Sequence, residues 1–237
     1  MIPVKIMTAY IITGGDVLLE NIKIELEDGD TVIAADSGYE TARKLKLPVD
    51  VLIGDMDSIK VELPKSVEVI KLPAEKDVTD TEAAVELALE RGAETICIVG
   101  GIGTRVDHTL ASIGILEGIE GLFSAPLGKR RKFFGLAKQA RFSRRVYATL
   151  TNGYNRVRFI RNDSVIIPRS PYFKYLSLIC SDEFVKGVTV DGVKYPLKNA
   201  TLCRRQQYYS VSNEISGNCA FVSVRNGGVY IIESFDD

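Results

Sequence analysis

Val51-Leu52-Ile53-Gly54-Asp55-Met56-Asp57-Ser58 is an apolar run closed by glycine and two carboxylates one residue apart. Such a run, bounded by Gly and Asp, reads as a buried strand that ends in a loop. The layout recurs on both sides. Thr31-Val32-Ile33-Ala34-Ala35 ends in Asp36, and Thr95-Ile96-Cys97-Ile98-Val99 ends in Gly100-Gly101. In an open parallel sheet, ligands sit in the crevice beyond the carboxyl ends of the strands. Three strands would then deliver an acid, an acid pair and a glycine loop to one edge, a layout suited to a metal and a nucleotide.

Lys5 to Thr13 and residues 67–72 read as further strands. Helical patterns lie at Tyr39 to Leu45, at Asp80 to Arg91 and at Asp107 to Leu116. The second places Ala83, Ala84, Leu87 and Ala88 on one face, starts in a Thr79/Glu82 capping box and stops at Gly92. Alternating strands and helices imply a mainly parallel sheet with flanking crossover helices. After about Val146 the pattern changes to short alternating runs at Val146–Leu150, Asn155–Ile160, Val185–Val190 and Val229–Ile232. Asn152-Gly153, Asp191-Gly192 and Gly227-Gly228 separate them and read as hairpin turns. The expectation is an α/β domain over residues 1–140, followed by an all-β antiparallel sandwich domain over 141–237.

The 237 residues are 46% hydrophobic and 26% charged, an ordinary globular composition. A formal net charge of -1 provides no global field for nucleic acid or a membrane surface. No apolar run approaches the roughly 20 residues of a membrane span. Met1 to Thr13 runs into Gly14-Gly15 without a small-residue cleavage site, so it reads as a first strand rather than a signal peptide. Four cysteines without C-x-x-C spacing, and a single histidine, argue against zinc and against a disulfide framework. A cytoplasmic protein is expected. The basic residues between Gly118 and Arg145 (Lys129-Arg130-Arg131-Lys132, Arg141, Arg144 and Arg145) read as a solvated face of a connecting helix in preference to a nucleic-acid patch, which rests on this cluster alone.

Asp36, Asp55, Asp57, Asp77, Asp80 and Asp107 all fall at expected strand ends or helix starts. Two carboxylates about 5 Å apart repel by roughly 3 kcal/mol at an effective dielectric of about 20, so a cluster of them asks for a cation. Carboxylate and phosphate oxygens with water are what Mg²⁺ takes. Singly, each acid has a structural explanation: Asp80 at a helix dipole, Asp107 as an N-cap, Asp36 in a turn. The Asp55/Asp57 pair lacks an evident one. Gly100-Gly101-Ile102-Gly103-Thr104-Arg105 can bring backbone N–H groups and a guanidinium onto phosphate oxygens, although it is neither a Walker A loop nor a dinucleotide fingerprint. Lys76 reads equally as a phosphate ligand or a surface lysine, and His108 as a local packing residue or a catalytic one.

The ordered set ADSG (35–38), GDMDS (54–58), KDVTDTE (76–82) and GGIGTRVDHTLAS (100–112) resembles the thiamine pyrophosphokinase family, as do GVTVDGVKYPLKNATL (187–202) and SVSNE (210–214). The resemblance implies transfer of pyrophosphate from ATP to the thiamine hydroxyl, with AMP released. It implies catalytic roles for Asp55, Asp57, Asp80, Arg105 and Asp107, with Mg²⁺ on Asp55, Asp57 and Asp80. It assigns ATP to Asp36, Ser58, Lys76, Asp77, Thr79, Gly101, Arg105 and His108, and thiamine to Tyr195, Ser212 and Asn213. It implies a homodimer with active sites at the subunit interface, and no nucleic-acid or membrane partner. Ser37 and Ser112 depart from the small or amide residues expected beside these motifs, and Gly121–Arg145 matches no familiar pattern. The alternatives weighed are a pyrophosphokinase for another hydroxymethyl substrate such as a pterin, and a non-catalytic nucleotide or thiamine sensor.

Overall fold

A computed structural model of the chain describes residues 6–57, 63–73, 77–124, 145–206 and 210–236. The chain forms two compact units, Met1–Asn152 and Gly153–Asp237.

The first unit contains β1 (Thr8–Ile12), β2 (Thr31–Ala35), α1 (Gly38–Lys44), β3 (Val51–Gly54), β4 (Glu68–Lys71), α2 (Asp80–Glu90), β5 (Thr95–Val99), α3 (Val106–Ser124) and β6 (Tyr147–Thr151). Its strands lie in the order β4-β3-β2-β1-β5-β6, and every neighbouring pair is parallel. All residues of β2 and β3 are buried, which is why they read as unbroken apolar runs rather than as alternation. Edge strand β4 is largely exposed. The capping box at α2 is present in both directions. Glu82 N–H donates to Thr79 Oγ1 at 3.1 Å, and Thr79 N–H donates to Glu82 Oε2 at 2.8 Å. The helix buries Ala83, Ala84 and Ala88 as expected, with Val85 and Leu89, while Leu87 is only half-buried.

Val146–Leu150 was expected in the antiparallel half, but β6 pairs in parallel with β5. Helix α3 runs on to Ser124 and serves as the crossover that such a pair requires. Nothing in a five-residue alternating run distinguishes the two pairings. Arg145 does not belong to a solvated face either. Its guanidinium forks onto the buried Glu120 carboxylate of α3, at 2.6 and 3.1 Å, and ties that helix to the start of β6. The rest of the basic cluster, 129–132, 141 and 144, lies outside the described residues.

The second unit contains β7 (Asn155–Arg161), β8 (Ser164–Pro168), β9 (Tyr175–Cys180), β10 (Phe184–Asp191), β11 (Leu197–Cys203), β12 (Cys219–Ser223) and β13 (Gly228–Ser234). They form two antiparallel sheets, β7-β13-β9 and β11-β10-β12-β8. The core joins residues of both, such as Leu178 and Ile231 from one and Ile167, Val190 and Val222 from the other, which makes the unit a sandwich. Gly227-Gly228 is not a hairpin, since it links β12 in one sheet to β13 in the other. A Cβ on Gly228 would come 2.5 Å from Phe159 Cζ, so packing rather than turn geometry requires the glycine.

Glu233 breaks the apolar alternation of β13 and is 2% exposed. Its carboxylate accepts from Arg156 Nη2 at 2.6 Å and from Arg158 Nη1 as well. Breaking such a buried pair from one side is costly, because the opposite charges stay desolvated. Glu233→Gln is therefore expected to lower unfolding free energy by about 3 kcal/mol. Urea titration of the variant against the parent checks this, and an unchanged midpoint would show the triad contributes nothing net.

Candidate active site

The strand order reverses between β1 and β5, and their carboxyl ends open a cleft of about 380 Å³. This is the switch point at which open α/β sheets bind ligands. The loops leaving the two strands are zipped together. Thr13 N–H donates to Val99 O, Gly101 N–H to Gly14 O and Asp16 N–H to Ile102 O, at 2.7–2.9 Å. So close an approach requires glycine: a Cβ on Gly15 would come 2.7 Å from Ile102 O, and one on Gly100 2.3 Å from Thr13 O. Both also hold positive φ, at 132° and 101°. Buried Asn152 fastens the next residues, donating from Nδ2 to Asp16 O and accepting from Leu18 N–H.

Of the residues singled out in the sequence, Asp36, Thr79, Asp80, Gly101, Arg105 and His108 line this cleft together. Asp36 follows β2 in the left-handed region, φ 48°, with its N–H on Ile53 O. Thr79 and Asp80 open α2, and Arg105 and His108 bracket the first turn of α3. Helix N-termini carry partial positive charge and orphan N–H groups, which favours anions in front of them. Arg105 forks onto Asp107, with Nη2 2.7 Å from Oδ2 and Nε 3.3 Å from Oδ1. The Arg105 hydrogen bond, followed by the His108 backbone N–H, holds the Asp107 carboxyl below the ordinary carboxylate range. Thr109 pins the loop ahead of the helix: its hydroxyl accepts from Gly103 N–H and lies within hydrogen-bond distance of the Gly103 and Arg105 carbonyls.

Asp55, Asp57, Asp77 and Asp107 do not line the cleft. The strand that carries Asp55 nonetheless abuts Asp36, since a Cβ on Gly54 would come 3.3 Å from Asp36 Cα. The Asp55 carboxylate accepts the Asp57 N–H at 3.1 Å, a local turn bond that the sequence reading did not include. Ser58 and Lys76 lie outside the described residues. Among the described residues, no three His, Cys, Asp or Glu side chains form a metal cluster. Mg²⁺ characteristically takes only one or two carboxylates and leaves the rest of its shell to phosphate and water, so the donor chemistry of Asp36 and Asp80, which line the same cleft, fits it. The cleft also enlists residues the sequence reading passed over, in Thr13–Asp16, Thr81, Gly103–Thr104, Thr109 and Ser112. Gly14-Gly15 after an apolar strand was the available signal for the first group. It becomes informative only once β1 is known to border β5.

On the sandwich, Tyr195 sits in the connection between β10 and β11 rather than on a strand. The Asn213 side chain clamps its backbone, accepting from Tyr195 N–H at 3.0 Å and donating to Tyr195 O at 2.8 Å. Tyr195, 62% exposed, and Asn213 border a groove floored by Leu197, Ala200 and Leu202. Ser212 stands beside it at φ 55°, with its N–H on Ser177 Oγ, and does not itself line the groove.

Two family models match this chain: thiamin pyrophosphokinase, catalytic domain, over residues 22–120, and thiamin pyrophosphokinase, vitamin B1 binding domain, over residues 164–229. The thiamine pyrophosphokinase of Bacillus subtilis (strain 168) is 27% identical over 221 residues, covering 88% of this chain and 86% of that protein. A crystal structure of thiamine pyrophosphokinase from Bacillus subtilis superposes with a TM-score of 0.76 at 23% identity, covering 97% of this chain and 100% of the other. A thiamin pyrophosphokinase family protein from Enterococcus faecalis does so with a TM-score of 0.68 at 25% identity, covering 98% and 100%.

Proposed function

This chain belongs to the thiamine pyrophosphokinase family, and on that premise we propose that it transfers the terminal pyrophosphoryl group of ATP to the thiamine hydroxyl, releasing AMP. The observation that carries the residue assignments is the switch-point cleft, whose lining combines carboxylates that follow β2 and open α2 with a guanidinium and a helix N-terminus at α3. Attack at the β-phosphorus needs alignment of the hydroxyl with the leaving oxygen and neutralisation of charge on the non-bridging oxygens. Arg105 supplies charge on one side, and Asp107 orients it. A carboxyl held low by that guanidinium is poorly suited to accept a proton, which fits Asp107 to positioning rather than to base catalysis. Asp36 and Asp80, with Asp55 and Asp57 from the neighbouring strand end, would hold Mg²⁺. Held there, Mg²⁺ would supply Lewis-acid neutralisation of the charge on the phosphoryl oxygens. Ser58, Lys76, Asp77, Thr79, Gly101 and His108 complete the proposed ATP contacts.

We assign thiamine to the groove at Tyr195 and Asn213, with Ser212 beside it. The exposed ring and the backbone clamp under it support the assignment. An aromatic stacked on a cationic heterocycle gains about 0.5–2 kcal/mol. Tyr195→Ala is thus expected to weaken thiamine binding by roughly threefold to thirtyfold while leaving ATP affinity nearly unchanged. Equal losses for both ligands in equilibrium titrations would make the tyrosine structural.

We further propose a cytoplasmic homodimer whose active sites draw on both subunits. No helix among the described residues is long and apolar enough to cross a membrane. Mixed dimers of Tyr195→Ala with Asp57→Asn subunits should recover activity, because one of their two sites would carry neither defect. Absence of recovery after verified subunit exchange would place each site within one subunit. Neither the pterin alternative nor the sensor gains support, since both family models describe thiamine pyrophosphokinase. The reaction itself is tested by mixing the protein with ATP, Mg²⁺ and thiamine. Thiamine diphosphate should form and should require all three, and no thiamine-dependent turnover would overturn the assignment.

A further inference from the structure

The lining of the switch-point cleft includes hydroxyls that have hydrogen-bond capacity to spare. Thr13 at the end of β1 and Thr81 in the first turn of α2 are each 8% exposed, and their Oγ1 atoms lie 2.9 Å apart. Two hydroxyls bring two protons to that contact, and one bond uses only one of them. Neither hydroxyl makes another hydrogen bond among the described residues. Ser112, one turn beyond His108 on α3, is 7% exposed and lines the same cleft. Its Oγ lies against the glycine loop, 2.9 Å from where a Cβ on Gly101 would stand, and has no hydrogen-bond partner among the described residues.

The Ser112 hydroxyl, without a protein partner among the described residues but on the lining of the cleft, is free to exchange water for a ligand oxygen. The unspent groups are O–H donors in front of two helix N-termini, and their complement is an acceptor-rich anion. Resting on the pyrophosphokinase reading, we propose that Ser112 and the Thr13–Thr81 pair form a hydroxyl cradle that binds the phosphoryl oxygens of ATP. Arg105 and Thr109 sit on the same face of α3, at the spacing that puts residues i, i+4 and i+7 in one line. The helix therefore presents charge at its start, a loop anchor next and a neutral donor deeper in.

Equilibrium titration of the full chain with ATP, inorganic tripolyphosphate and adenosine, in Mg²⁺, tests the cradle. Ser112→Ala should raise the Kd for ATP and for tripolyphosphate about tenfold, the range for a hydrogen bond to a charged group, and leave adenosine unaffected. A second variant, Thr13→Val with Thr81→Val, removes both partners of one bond with little change of shape, so folding should survive and tripolyphosphate affinity should fall similarly. Unchanged tripolyphosphate affinity in both folded variants overturns the cradle, while wild-type ATP binding would leave the pyrophosphokinase reading intact. Weaker binding of ATP and adenosine alike, with tripolyphosphate unaffected, also overturns it by assigning the hydroxyls to the nucleoside. If the wild-type protein binds neither ATP nor tripolyphosphate, both proposals fall together.

Discussion

Arg105→Ala is expected to lower turnover about a thousandfold, comparable to removing a preorganised donor that meets transition-state charge. The expectation rests on the position of Arg105 in the cleft, ahead of α3, with its guanidinium already oriented by the Asp107 carboxylate. Arg105→Lys should recover only a small part, because an ammonium cannot form the fork that the guanidinium makes. Asp107→Asn should cost much less, about tenfold, since it removes the orienting charge and leaves the arginine in place. Steady-state kinetics distinguish these outcomes. A larger loss in Asp107→Asn than in Arg105→Ala would make Asp107 the group that acts on substrate. Both side chains are largely solvent-exposed, so neither change should unfold the protein.

Replacing the acids should have an effect of similar size. Asp55→Asn, Asp57→Asn and Asp80→Asn are each expected to reduce turnover by about a hundredfold or more, with saturation shifted to higher Mg²⁺. Stability should change little, because none of the three carboxylates is buried and asparagine keeps their size. Magnesium titrations of activity, with thermal unfolding as a control, test this. Near-normal turnover at limiting Mg²⁺ in the Asp55 and Asp57 variants would confine the ion to the cleft acids Asp36 and Asp80. In that case the Asp55–Asp57 backbone bond is the reason for the pair.

The parts of this fold that are legible from sequence are those decided locally. The Thr79/Glu82 box and the glycine after Arg91 bound α2, and the unbroken apolar runs of β2 and β3 mark strands covered on both faces. The acids at strand ends were visible for the same reason. What could not be read depends on neighbours far along the chain. The place of β1 between β2 and β5 turns Thr13-Gly14-Gly15-Asp16 from a loop into a cleft wall, and no local pattern encodes it. Thr81 and Ser112 look like ordinary helix residues until Thr13 and Gly101 are brought against them. Glu233 looks like a solvent-facing strand residue, and only the antiparallel register of β13 with β7 sets Arg156 opposite it. For the Asp55/Asp57 pair the structure adds a local turn bond, from Asp57 N–H to the Asp55 carboxylate, that the spacing of the acids alone does not reveal.

The most direct test of the central claim is the identity of the nucleotide product. When ATP, Mg²⁺ and thiamine are turned over and the products are separated by chromatography, AMP should appear one-for-one with thiamine diphosphate. Stoichiometric ADP, with thiamine monophosphate in place of the diphosphate, would show transfer of the γ-phosphoryl group and contradict the account.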